Sequence, residues 1–107
     1  MRKPSETGLV RQVLDYLNHV RRYPAFRLNT GGLRDAARRL VRFGSPGMSD
    51  IVCLAPEVSV WIECKMPGKQ LTALQKAFGD VVRTAGHVYC CVRSLDELIA
   101  VLEEIEA

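Results

Sequence analysis

Apolar residues recur at helical spacing over residues 5–20, where Leu9, Val10, Val13, Leu14, Leu17 and Val20 form one stripe. Ser5 stands where an N-cap oxygen is needed, and Tyr23-Pro24 closes the segment. The period then shortens. Residues 25–29 alternate as a short strand, and Thr30-Gly31-Gly32 signals a turn. Residues 33–43 fit two descriptions. Arg34, Arg38 and Arg42 share a helical face, whereas Leu40-Val41-Arg42-Phe43 reads as strand; a loop or helical turn feeding a strand is the expectation. Gly44-Ser45-Pro46-Gly47 breaks the chain.

Two strands follow, over residues 49–54 and 58–64, joined by Ala55-Pro56-Glu57. Residues 72–85 form a second amphipathic helix with Leu74, Phe78, Val81 and Val82 on one side. Thr72 is placed to cap it, and Gly86 follows as a C′ residue would. Residues 87–92 read as a buried strand, and Ser94 opens a last helix carrying Leu95, Leu98, Ile99, Leu102 and Ile105. The order is helix, strands, helix, strand, helix. It predicts one α/β domain over residues 1–107, with a mixed central sheet flanked by helices (α-β-β-β-α-β-α).

Length and composition agree with a single core. The 107 residues are 48% hydrophobic and 25% charged, which excludes a disordered chain. A chain of this length buries roughly 60–65% of the surface it exposes when unfolded. No apolar run approaches the ~18 residues of a membrane span. The start, MRKPSETG, has no apolar stretch behind its basic residues, so no secretory signal is expected there.

Net charge changes the picture more. Residues 1–44 hold ten Lys/Arg against three Asp/Glu, a balance of +7, whereas residues 45–107 hold five against nine, a balance of −4. Nine of the first ten are arginines, which suit bidentate phosphate contact. Their grouping at Arg34, Arg38, Arg39 and Arg42, beside Arg21, Arg22 and Arg27, points to a polyanion partner. Any single one also serves as a solubilising surface residue. Cys53, Cys64, Cys90 and Cys91 fit neither a C-x-x-C pair nor a spaced zinc set. They read as small buried hydrophobes of a reducing compartment, hence an intracellular, cytoplasmic protein.

The chemistry sits on the hairpin. With its turn centred between Pro56 and Glu57, opposed residues have numbers summing to 113, so Ile51 faces Ile62, Val52 faces Trp61, and Asp50 faces Glu63. Lys65 shares the face of Glu63, two residues along. Facing carboxylates destabilise a sheet end, and a divalent cation with hard oxygen ligands, Mg²⁺ or Mn²⁺, relieves the conflict. The competing description has both acids solvated at exposed strand ends and paired with neighbouring lysines.

Gly47-Met48-Ser49-Asp50 followed by Ile62-Glu63-Cys64-Lys65 resembles the signature of the PD-(D/E)XK nuclease superfamily. The finer resemblance is to its VRR-Nuc (virus-type replication-repair nuclease) group. It is carried by Ser5-Glu6, Thr30-Gly31-Gly32, Arg42-Phe43-Gly44-Ser45-Pro46-Gly47-Met48-Ser49-Asp50, Glu63-Cys64-Lys65 and Leu71-Thr72-Ala73-Leu74-Gln75. It departs at Ser49, where the superfamily often has Pro. The resemblance implies a restriction-endonuclease-like core in a minimal, stand-alone form. It implies Asp50 and Glu63 as ligands of Mg²⁺ (with Mn²⁺ able to substitute), completed by the Cys64 backbone carbonyl. Lys65 would be the catalytic lysine. Glu6 would reach the site directly or through water, and Gln75 would orient the lysine or the substrate. Read without the resemblance, Glu6 is equally a first-turn acid favoured by the helix dipole and Gln75 a surface helix residue.

The activity implied is structure-selective endonucleolytic hydrolysis of DNA phosphodiester bonds, on branched DNA such as four-way (Holliday) junctions, in DNA repair. Arg34, Arg38, Arg39, Arg42 and Lys69 would hold the backbone, and such contacts carry little base information. Short stand-alone members imply a homodimer, a helicase or other replication-repair partner, and a bacterial or phage source; no membrane partner is expected. The rival from another class is a non-catalytic nucleic-acid-binding module that keeps the fold. His19 and His87 belong to no metal-spaced pair, and Gly31-Gly32 lacks the pattern of a phosphate loop.

Overall fold

The computed structural model describes residues 3–28, 32–34, 40–42 and 46–107, with side chains described for 3–28 and 46–107. The chain runs α1 (Glu6–Asp15), β1 (Ala25–Arg27), β2 (Gly32–Arg34), β3 (Leu40–Arg42), β4 (Ile51–Ala55), β5 (Val58–Cys64), α2 (Ala73–Thr84), β6 (Val88–Val92) and α3 (Leu95–Glu106). It is an α/β protein with a four-stranded mixed sheet in the order β1-β4-β5-β6 and a separate pair, β2-β3. Strands β1, β4 and β5 pair antiparallel, and β6 returns parallel to β5 after the α2 crossover.

Each helix begins where a short side chain can satisfy an orphan amide. Ser5 Oγ accepts from Gly8 N–H, Thr72 Oγ1 from Gln75 N–H, and Ser94 Oγ from Glu97 N–H. The end of α2 closes as foreseen. Gly86 takes φ +88°, its N–H bonds the Arg83 carbonyl, and His87 N–H bonds that of Val82. The first helix departs from the expected uniform segment. Beyond Asp15 it widens into a π-helical stretch, Tyr16–Arg21. Asn18 supplies a physical reason, since its side-chain amide donates to the Leu14 carbonyl, a partner that regular winding would give to the backbone. The same amide donates to the Ala25 carbonyl and accepts from Ala25 N–H, tying the helix to β1.

The alternation of the strands separates two faces. Ile51, Cys53, Val60, Ile62, Cys64 and Val92 lie on one, packed against Leu9, Val10, Val13 and Leu17 of the first helix and Leu98 and Leu102 of α3. On the other face α2 docks through aromatic edges: Phe78 lies 5.6 Å from Trp61 and 6.2 Å from Tyr89 between ring centroids. Gly79 allows the approach, because a Cβ there would sit 2.8 Å from the Tyr89 ring. All four cysteines are free thiols. Burial pushes Cys53 up to about 11 and Cys64 and Cys90 up to about 12, so these sulfurs stay protonated and pack as hydrophobes. No helix among the described residues is long and apolar enough to cross a membrane.

The stretch 33–43 carries two short antiparallel strands, with Gly32 opposite Arg42 and Arg34 opposite Leu40. The strand reading of 40–43 holds in β3; β2 was not foreseen. Thr30, Gly31, Arg38, Arg39, Phe43, Gly44 and Ser45 lie outside the described residues, and Arg34 and Arg42 are described by strand position alone.

Candidate active site

The hairpin pairs as the turn arithmetic requires, with Ile51 opposite Ile62, Val52 opposite Trp61 and Ala55 opposite Val58. Glu57 adopts φ +67° within the connecting turn. One step beyond the first pair, Asp50 comes opposite Glu63 on the α2 side of the sheet, the side away from the main core.

Asp50 is held at both ends. Its carbonyl accepts from Leu28 N–H at 2.7 Å, which fixes the backbone beside β1. Its Oδ2 accepts from Cys64 N–H at 2.8 Å, which aims the carboxylate across the end of β5. Because the N–H and C=O of one strand residue point to the same side, the Cys64 carbonyl also faces the Asp50 side. Buried Ser49 bridges the turn into β4 by donating its hydroxyl to the Ile51 carbonyl at 3.2 Å. Gly47 brings this segment against α2: it has φ +81°, and a Cβ there would fall 2.4 Å from the Leu74 carbonyl oxygen.

Glu63 is only 3% exposed, and its Oε1 has no hydrogen-bond partner. Buried carboxylates are ordinarily paired; among the described residues this oxygen and the Tyr89 hydroxyl are the two buried side-chain polar atoms without a partner, and this one faces a second carboxylate. Burial first, then the charge of Asp50 and a hydrogen bond to it, push the Glu63 carboxyl up to about 8; Lys65 opposes the shift and Glu6 adds to it. The Glu63 carboxyl therefore retains its proton near neutrality. Lys65 follows on the same strand face, half-buried, its N–H bonded to the Val92 carbonyl at 3.0 Å.

Other expected participants stand farther out. Glu6 is exposed on the first turn of α1. It influences Glu63 by charge, but among the described residues no three His, Cys, Asp or Glu side chains gather closely enough to hold a metal ion. Gln75 lies at the α2 end nearest Gly47, and its Oε1 accepts from Thr72 N–H at 2.9 Å. This completes a reciprocal capping box and leaves the side-chain NH₂ as its remaining polar group. Lys69 is exposed in the turn after β5, where its carbonyl accepts from Arg93 at 2.7 Å.

Sequence reasoning missed Arg93. The parallel ladder pairs Glu63 with Cys91 and Cys64 with Val92, so Lys65 and Arg93 follow as neighbours one residue further on. The Arg93 guanidinium reaches back to within 3.8 Å of Cys91 Sγ on the face of Glu63. No local motif signals this arginine; only the pairing of β6 with β5 brings it beside Lys65.

The donor set suits a hard divalent cation. The unsatisfied Glu63 oxygen, the fixed Asp50 carboxylate and the Cys64 carbonyl supply oxygen ligands alone, and Mg²⁺ characteristically uses one or two carboxylates and keeps several waters. No family model and no curated protein matches this sequence.

Proposed function

We propose that the protein is a divalent-metal-dependent DNA endonuclease with a PD-(D/E)XK-type core of the VRR-Nuc kind. The observation that carries the reading is the confrontation of Asp50 with Glu63, the latter buried and lacking a partner for one oxygen. A fold selected for stability alone would place an apolar or amide side chain at such a position. Two facing acids followed by a lysine are instead suited to phosphodiester hydrolysis.

Asp50, Glu63 and the Cys64 carbonyl would hold Mg²⁺ or Mn²⁺. When bound, the ion supplies Lewis acidity towards phosphoryl oxygen and neutralises the two acids. The chain's own residues provide the rest. The Cys64 N–H bond keeps Asp50 from rotating into solvent. The Lys65 ammonium, beside the acids, stabilises the negative charge that grows on the reacting phosphate. The surrounding β4 and β5 side chains exclude bulk water from the inner side of the acid pair. Gln75, through its free amide NH₂, would orient the lysine or the substrate, and Glu6, from α1, would reach the site directly or through water. The arginine-rich first half would grip the phosphate backbone, giving selectivity for DNA shape over sequence. Branched DNA is the substrate class this favours, and a two-fold homodimer would offer two sites to the two strands of a four-way junction.

Cleavage assays on four-way junction, flap, duplex and single-stranded DNA with Mg²⁺ or Mn²⁺ test the reading. Activity on branched DNA that disappears with Asp50→Asn supports it. DNA binding without cleavage under every condition favours a binding module instead.

A further inference from the structure

A cavity of about 580 Å³ opens between the first turns of α1 and α3, where the chain leaves β5 and β6. Three cationic residues line it: Lys3 and Arg11 from the α1 side, and Arg93 from the end of β6. Asp96 is the one carboxylate-bearing residue in its lining. Met66, the residue after Lys65, also lines it, so the cavity adjoins the strand end that carries the proposed lysine. Arg93 belongs to both places. It follows Cys91 on the Glu63 face, and it forms part of the cavity wall.

We propose that this cavity is a phosphate subsite for a nucleic-acid strand, holding a backbone phosphate next to the one cleaved. The inference rests on reading the acid pair as a phosphodiester-hydrolysing site, and it adds cations outside the arginine cluster noted in the sequence.

The helix starts themselves are not what recommends the cavity, since Ser5 and Ser94 already cap them. The cations are. Among the described residues no carboxylate forms an ion pair with Lys3, Arg11 or Arg93. Arg93 is braced rather than neutralised: one of its NH₂ groups donates to the Lys69 carbonyl at 2.7 Å, which orients the guanidinium and leaves further N–H donors for phosphate oxygens. The cavity lies at the carboxyl ends of the parallel strands β5 and β6, where open α/β sheets commonly bind ligands. Arg93, next to Lys65 in the β5–β6 register, links the cavity to the strand end that carries the proposed lysine.

The test uses the full chain carrying Asp50→Asn, so that cleavage does not enter the measurement. Affinity for fluorescent duplex and junction DNA is followed from about 50 to 200 mM salt, where each phosphate contact contributes a slope of about 0.9 in log K against log salt. Arg11→Gln and Arg93→Gln are each expected to lower the slope by about 0.9, and together by about 1.8. Glutamine at residue 93 keeps a donor for the Lys69 carbonyl; should that variant fold poorly, exposed Arg11 carries the test. Arg83→Gln, in the last turn of α2 and outside the arginine-rich first half, is expected to leave the slope unchanged. Unaltered slopes for Arg11→Gln and Arg93→Gln, or an equal fall for Arg83→Gln, overturn the subsite. Cleavage by the unmodified protein is scored separately. Active enzyme with unaltered slopes removes the subsite and leaves the nuclease; inactive enzyme with the expected slopes removes the nuclease and leaves the phosphate site.

Discussion

The carboxylate of Asp50 accepts a 2.8 Å hydrogen bond from the backbone N–H of Cys64, the residue after Glu63. This bond converts a pairing register into a fixed chemical geometry. It holds one acid against the strand end while burial traps the other beside it.

Asp50→Asn keeps an oxygen acceptor for Cys64 N–H and removes the negative charge. The hairpin should therefore survive, and the melting temperature should stay close to that of the parent or rise as repulsion with Glu63 is relieved. Cleavage should fall by at least about 100-fold, since even indirect partners of a metal site are worth 10- to 100-fold. Paired melting and cleavage assays check this; a large loss of stability would show that the aspartate serves the fold.

Glu63 predicts an unusual pH dependence. Its folded pKa of about 8 lies above the ordinary 4.5, so the folded state binds the additional proton. The stability this contributes is fully present below about pH 4.5 and is lost as pH rises through about 8. Glu63→Gln should hence melt above the parent at pH 9, with the difference shrinking towards pH 5. Mg²⁺ should raise the parent's melting temperature more at pH 9 than at pH 6, because the cation competes with that proton. Thermal melts across pH, with and without Mg²⁺, read both effects.

Lys65→Met retains the aliphatic stem and removes the ammonium. A loss of about 10²- to 10³-fold in the cleavage rate is expected, the range for removing one charge-stabilising group from a reacting centre. Single-turnover rates at saturating protein separate this from weakened binding.

Gly47→Ala tests how the site is positioned. Its φ of +81° and the 2.4 Å approach of a Cβ to the Leu74 carbonyl leave no room for a methyl group. A destabilisation of about 1–3 kcal/mol is expected, with cleavage reduced in the folded fraction as residues 47–50 shift from α2. Denaturant titration and activity per folded molecule give the two numbers.

Gln75 separates capping from chemistry. Gln75→Ala removes half of the reciprocal box and should destabilise by roughly 1 kcal/mol, as loss of a cap does. Gln75→Glu keeps an acceptor for Thr72 N–H and should restore most of that stability. Activity that follows stability across the two variants assigns the residue to α2; activity lost in both assigns its NH₂ to the site.

Local chemistry made much of this legible in advance. The Ser5, Thr72 and Ser94 caps, the Gly86 terminus and the pairing of Ile51 with Ile62 depend on near neighbours or on a two-residue turn, and such signals survive in a linear chain. What escaped was non-local or conditional. Arg93 comes beside Lys65 only through the parallel return of β6, which spans the whole of α2. The π-helical turns arise because Asn18 bonds both Leu14 and Ala25, and the second partner is fixed only once β1 has docked. Gln75 was legible as a helix residue near the site, but Thr72 claims its oxygen through the same spacing that would have presented it to substrate.

The most direct test of the central claim is cleavage of a four-way junction by the unmodified protein and by Asp50→Asn, in Mg²⁺ and in EDTA. The account predicts cutting by the unmodified protein in Mg²⁺ alone, and none by the variant while both still bind the junction. Cutting that persists in EDTA, or that Asp50→Asn leaves unchanged, would contradict it.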